Sequence, residues 1–187
     1  MSRFYKAEGI VLKRNNTGEA DRIITLFTRE FGKVRLLAKG IRRITSRRSG
    51  HLELFSHVTV SVRTGKGIDL ITEASRVDNP RNNGNANMRQ VGFAYYFCEL
   101  VDQLTAERQE HEEVFILLSQ SLLDIFQNGF IEFRKHAHQF TLELLWRLGY
   151  LPRSVVVAEN RIHAYVEHIT ERKLKTPAIL TTMNAGA

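Results

Sequence analysis

Cysteine is almost absent from this chain of 187 residues, with Cys98 the single example. One thiol allows no internal disulfide and no cysteine-rich zinc site. Long apolar runs are also missing, and none approaches the roughly 20 residues that a membrane span requires. Residues Met1–Lys6 lack the apolar stretch of a secretory signal. These absences point to a cytoplasmic protein with no membrane segment. No internal repeat or low-complexity tract appears.

Acidic residues are missing altogether between Phe31 and Leu52, where seven basic ones occur: Lys33, Arg35, Lys39, Arg42, Arg43, Arg47 and Arg48. Such a run, interspersed with Gly32, Gly40 and Gly50, cannot neutralise itself locally. A polyanion is its natural partner, and a nucleic-acid backbone is the commonest one. The imbalance is confined to one half. Residues 1–80 hold sixteen Lys/Arg against eight Asp/Glu, a surplus of +8, whereas residues 81–187 hold eleven against twelve. That split argues for two units, 1–79 and 80–187, with different roles.

The first unit reads as β-structure. Val58, Val60 and Val62 alternate with His57, Thr59, Ser61 and Arg63, the period of a half-buried strand. Around Val34 the same period puts Val34, Leu36 and Ala38 on one face. Lys33, Arg35 and Lys39 then share the other with Leu37, so one strand is expected to present three cations to solvent. Further strands are expected near Ala7–Arg14, Ala20–Thr28 and Ile68–Val77, with turns at Asn15–Gly18, Glu30–Gly32 and Thr64–Gly67. Five short strands in under about 80 residues fit a small barrel or sandwich, an OB-like barrel first among them. Asp78–Asn87 is polar and turn-rich and reads as a linker.

Beyond it the period becomes helical. Met88, Val91, Ala94, Cys98, Val101 and Leu104 repeat at three to four residues. So do Val114, Leu117, Leu118, Ser121, Leu122 and Ile125, and then Phe133, Ala137, Phe140, Leu144 and Leu148. Breaks fall at Asn128-Gly129 and at Gly149–Pro152, and a weaker helix is expected from about Val155 to Glu171. The second unit is therefore expected to be a helical bundle, with a frayed tail at Thr181–Ala187.

Catalytic chemistry finds no foothold. His136 and His138 are two apart on a helix and His163 and His168 five apart, poor spacings for shared metal ligation. Cys98 lies on an apolar stripe, where a buried thiol is the ordinary outcome. Gly65-Lys66-Gly67 lacks the spacing of a phosphate loop and reads as a hairpin turn. Glu112 and Glu113 suit a helix N-terminus. No general acid/base pair stands out, so the reading is of a binder with no metal and no cofactor. Single-strand binding would need aromatics for base stacking, and Phe4, Tyr5, Phe27, Phe31 and Phe55 are available, mostly as expected core or rim residues. Arginines can fork onto phosphates and Ser46 and Ser49 can donate to the same backbone, although a merely solvated loop is the competing reading of the basic run.

The text Ala7–Lys13, Gly18–Ile24, Leu26–Val34, Ala38–Arg43, Ser46-Arg47 and Leu52–Ser56 resembles, in order and spacing, the RecO family of bacterial recombination mediators. Leu144–Pro152 and Lys173–Thr176 resemble its helical part and closing basic segment. The resemblance implies an N-terminal OB-fold followed by a helical domain. It also implies binding of single- and double-stranded DNA, strand annealing without catalysis, and a nucleoid association. The implied protein partners are RecR and single-stranded DNA-binding protein, with RecA loaded indirectly. Many members carry a four-cysteine zinc module after the Gly-Tyr-x-Pro element, whereas Arg153–Asn160 here contains no cysteine. On this reading Lys33, Arg35, Lys39, Arg42, Arg43, Arg47 and Arg48 contact DNA. Arg134, Lys135 and Arg147 on the third helix edge a groove for an acidic, apolar-tipped peptide. An OB-fold RNA-binding module is the alternative, since phosphate contacts do not distinguish the sugar. A structural adaptor whose basic patch meets an acidic protein is a third.

Overall fold

A computed structural model describes residues 4–43, 50–78, 86–127 and 132–176 of the chain. Five strands come first: β1 (Phe4–Thr17), β2 (Asp21–Thr28), β3 (Gly32–Ala38), β4 (His57–Arg63) and β5 (Asp69–Asp78). Four helices follow among the described residues: α1 (Met88–Leu104), α2 (Glu112–Gln127), α3 (Phe133–Arg147) and α4 (Glu159–Thr170). The strands close in the order β1-β2-β3-β5-β4, antiparallel throughout except for the short parallel seam between β3 and β5. This is the OB-fold barrel, with an all-α layer after it, as the sequence pattern led one to expect.

Alternation explains the barrel interior. Val58, Val60 and Val62 are fully buried, and they meet Ala7, Val11, Ile24, Leu26, Val34, Leu36 and Ile71 in one core. Over Gly9–Leu12 of β1 and Ile24–Thr28 of β2 both faces are covered. Between Val11 and Lys13 the pairing of β1 with β2 slips by one residue, a bulge at Leu12. Ile10, Leu12 and Phe27 point outward from the barrel and are buried in a second core with the helices. A strand buried on both sides reads as a continuous apolar run, which is what Gly9-Ile-Val-Leu12 and Ile23-Ile-Thr-Leu-Phe27 are.

Phe55 carries the barrel into the helical layer. Its backbone has φ +70, and its N–H donates to the Val11 carbonyl at 3.0 Å while Val11 N–H donates to Ser56 at 3.1 Å. Its ring meets Tyr95 edge-on at 5.0 Å and lies 6.2 Å from Phe126.

Helix ends follow local chemistry. Asn87 and Gln90 form a reciprocal capping box at the start of α1, each side chain accepting from the other's backbone N–H at 2.8–2.9 Å. After α3, Gly149 takes φ +76, so the expected stop falls where it was read. The fourth helix starts at Glu159 rather than near Val155, because residues 155–158 are non-helical up to the cap Ala158. The Asn128-Gly129 break, the tail 181–187 and most of the Asp78–Asn87 linker lie outside the described residues. Among the described residues no helix is long and apolar enough to cross a membrane.

Candidate nucleic-acid interface

The basic run leaves the barrel at the end where the β1–β2 turn sits. After β3 the chain folds onto that turn: Gly40 N–H donates to Asp21 Oδ1 at 2.7 Å and Arg42 N–H to the Ala20 carbonyl at 2.9 Å. Gly40 adopts φ +64, and the Arg43 N–H closes back onto its carbonyl at 3.1 Å. Arg42 and Arg43 are held on a short anchored segment, both exposed, with Arg42 Nη1 donating to the Glu19 carbonyl at 3.1 Å. Lys39 is exposed beside them but lies one residue past the end of β3. Arg47 and Arg48, with Ser46 and Ser49, lie outside the described residues.

Lys33 corrects the expectation that β3 shows three cations to solvent. Only 9% of Lys33 is exposed. Its ammonium donates to the backbone carbonyl of Asp102 and lies 3.4 Å from that residue's carboxylate. The cause is the end of α1, whose last turn contains no basic residue. A helix C-terminus leaves carbonyls without partners and carries partial negative charge. The barrel supplies the missing cations, Lys33 and also Lys13, which pairs with the same Asp102 carboxylate.

Arg35 is exposed. Its Nη1 is 4.0 Å from Glu107, with both side chains more than half exposed, a contact that solvent screens to about 0–1 kcal/mol. It stands in one lateral row with Lys13 and Thr25. Arg29 is likewise drawn to the helical layer, 2.6 Å from Glu112. Part of the positive surplus of the barrel is therefore neutralised by carboxylates of the helical half.

That docking depends on the segment after α1. Arg108 N–H donates to the Lys33 carbonyl at 2.9 Å, and Glu107 bridges to Lys33. Arg108 Nη2 and Tyr5 Oη donate to Asp69 Oδ2 at 2.8 and 2.9 Å. Partial burial pushes the Asp69 carboxyl up, but donation from the Gly65 N–H, Arg108 and Tyr5 outweighs it and holds the group below the usual carboxylate range. Burial first, and then Asp69, push Tyr5 up to about 12.

Of the aromatics, Phe27 and Phe55 are buried, and Tyr5 packs edge-on against Phe31 at 5.0 Å. Phe4 is 55% exposed. Burial drives the Cys98 thiol pKa well above its ordinary value, so it is an inert core residue. Among the described residues no group of three or more His, Cys, Asp or Glu is placed to hold a metal ion.

The three helical candidates are not brought together. Arg134 and Lys135 begin α3 and Arg147 ends it, about 20 Å apart at roughly 1.5 Å per residue. Lys135 lies 3.2 Å from Glu132. Arg147 is 3.3 Å from Glu143 and 3.8 Å from Glu113, so it ties α3 to the start of α2.

An OB barrel with a cationic loop end and a helical layer docked on one flank defines the class. Residues 1–80 match the family model for the N-terminal part of recombination protein O, and residues 86–159 match that for its C-terminal part. The DNA repair protein RecO of Roseiflexus sp. (strain RS-1) is 34% identical over 151 residues, covering 81% of this chain and 52% of the relative. Those of Pelotomaculum thermopropionicum and Symbiobacterium thermophilum are 33% and 35% identical, over 80% and 79% of this chain and 57% and 58% of theirs. The chain belongs to the recombination protein O (RecO) family, and it spans little more than half the length of these relatives.

Proposed function

We propose that the protein is a non-enzymatic DNA-binding recombination mediator, with residues 1–79 as the DNA-binding unit and 80–187 as the protein-docking unit. It binds single- and double-stranded DNA through Arg35, Lys39, Arg42 and Arg43, joined by Arg47 and Arg48 of the same run. Lys33 leaves this set, since its ammonium is occupied at the end of α1. The observation that carries the reading is the exposure of Arg42 and Arg43 on a segment fastened to the β1–β2 turn. OB-folds take up oligonucleotides at that loop end. Neutralising two polyanions on one cationic edge lowers their mutual repulsion, a route to strand annealing without nucleotide hydrolysis.

Family membership supports the remaining partners: RecR, single-stranded DNA-binding protein, and RecA as the protein ultimately loaded. Arg134, Lys135 and Arg147 are the docking candidates; Arg147 is held by Glu143 and Glu113 between two helices, whereas Lys135 has only the neighbouring, exposed Glu132 at 3.2 Å. A salt titration tests the DNA reading. Each lost phosphate contact flattens the log–log slope by about 0.9 on duplex and about 0.7 on a single strand. Reversing both Arg42 and Arg43 to Glu is expected to flatten it by about two contacts. Unchanged affinity and slope would falsify the assignment. Annealing of complementary oligonucleotides coated by single-stranded DNA-binding protein, run without ATP, tests the mediator step.

A further inference from the structure

The chain leaves α4 through Glu171, a residue other than glycine in left-handed backbone at φ +53. L-residues adopt that conformation sparingly, and at a helix end it turns the chain sharply. Residues 172–176 then run back along α1, with Lys173 beside Gln103 and Thr176 beside Glu99. Of these five only Leu174 and Thr176 are buried, and Leu174 joins the helical core.

Side chains alone fasten this segment. The Glu99 carboxylate accepts from the Lys175 N–H at 2.8 Å, the Thr176 N–H at 2.9 Å and the Thr176 hydroxyl at 2.6 Å. Glu167 Oε1 accepts from the Leu174 N–H at 2.9 Å, and Gln103 Nε2 reaches the Lys173 carbonyl only at 3.5 Å. Among the described residues no backbone–backbone hydrogen bond joins 172–176 to a strand or to another helix. A segment with so few ties lies at the low-stability end of a fold and opens without the rest. Most of its short bonds converge on one carboxylate, so a single group governs the opening.

The same segment walls a groove of about 760 Å³ between the barrel and the helices. β1 contributes Leu12 and Lys13 to it, α1 contributes Tyr95 and Cys98, and the segment itself contributes Lys173 and Lys175. Cys98 borders this space while only 2% exposed.

We propose that residues 172–176 form a strap hinged at Glu171 and latched on Glu99, whose release opens the groove between β1 and α1 down to Cys98. The strap moves as a unit, so the Leu174 side chain leaves the helical core when the Glu99 bonds part. Its open form is a minor state of the folded protein, and a ligand that binds only that form shifts the population towards it. The device stands apart from the DNA-binding reading and does not depend on it.

Hydrogen exchange and thiol labelling of the whole chain test the strap. Glu99→Gln keeps the shape of the latch and removes its charge. Exchange at the Lys175 and Thr176 amides is expected to quicken at least about tenfold, the loss of one charge-assisted hydrogen bond. The Leu174 amide, bonded to Glu167 and not to Glu99, is expected to quicken by the same factor. Maleimide labelling of Cys98, the single thiol, should rise in step. The Gln90 amide, in the capping box at the far end of α1, stays within about twofold because the opening is local. A Leu174 amide that keeps its protection while Lys175 and Thr176 lose theirs overturns the proposal. So does Cys98 labelling that is unchanged in the variant, or that follows only the global urea transition. Should Gln90 quicken equally, the variant is destabilised throughout, and Glu167→Gln decides instead. Faster exchange at Lys175 and Thr176 in that variant supports a strap moving as one, and unchanged exchange there overturns it.

Discussion

Lys33 of β3 closes the C-terminus of α1 by donating its ammonium to the Asp102 backbone carbonyl, 3.4 Å from the same residue's carboxylate. A cation placed by sequence pattern on a DNA-facing strand is thus part of the joint between barrel and helices. Lys33→Met is expected to leave the salt slope of DNA binding unchanged, while Arg42→Glu flattens it. A Lys33→Met slope that falls by a full contact would return Lys33 to the interface.

Asp102 pairs with both Lys33 and Lys13. Asp102→Ala strips the partner from a nearly buried ammonium, and breaking one side of such a pair costs about 3–5 kcal/mol. Lys33 keeps the main-chain carbonyl, so the low end, about 3 kcal/mol, is expected. Urea unfolding midpoints measure it, and the loss should persist at high salt because burial shields the pair.

Gly32 has φ +61, and a Cβ there would sit 1.7 Å from the Gln109 carbonyl oxygen. The segment that carries Arg108 to Asp69 can lie on β3 only if this position has no side chain. Gly32→Ala is expected to cost at least about 2 kcal/mol through left-handed strain alone. Thermal melts of the variant check the loss. A second mark is faster hydrogen exchange at the Arg108 amide, which donates to Lys33.

The Tyr5–Asp69–Arg108 cluster makes stability pH-dependent at both extremes. Asp69 titrates below its ordinary 3.8 in the fold, so the unfolded chain binds its proton first. Its contribution is whole above pH 3.8 and is lost as pH falls through the lower folded value. Tyr5 titrates at about 12 against an ordinary 10.0, so its contribution is whole below pH 10 and is lost as pH rises towards 12. Chemical unfolding across pH should show a shallower acid limb for Asp69→Asn and a shallower alkaline limb for Tyr5→Phe. Limbs identical to wild type would remove the cluster from the pH response.

Phe55 is 1% exposed and touches aromatics of both α1 and α2. Phe55→Ala is expected to cost about 3–5 kcal/mol. Because the ring spans both layers, strand and helix signals in circular dichroism should still be lost in one transition. Two separate transitions would show that the layers fold independently.

Local pattern carried a great deal here. Val58, Val60 and Val62 dictate a strand with one face inward, and the stripes through Met88–Leu104, Val114–Ile125 and Phe133–Leu148 dictate helices. The acid-free run after Phe31 dictates a cationic edge whatever the fold. Strand period settles which face a residue shares with its neighbours, and so Lys33, Arg35 and Leu37 were correctly grouped on one side of β3. It does not say which part of that face another layer covers. Lys33 is lost to Asp102, 69 residues away in the chain, because α1 ends over it. Leu37, four residues on, stays clear of the helices and joins Leu70 and Phe4 in a groove. No local signal distinguishes the two, since the difference arises where a helix terminus with unpaired carbonyls meets the nearest available ammonium.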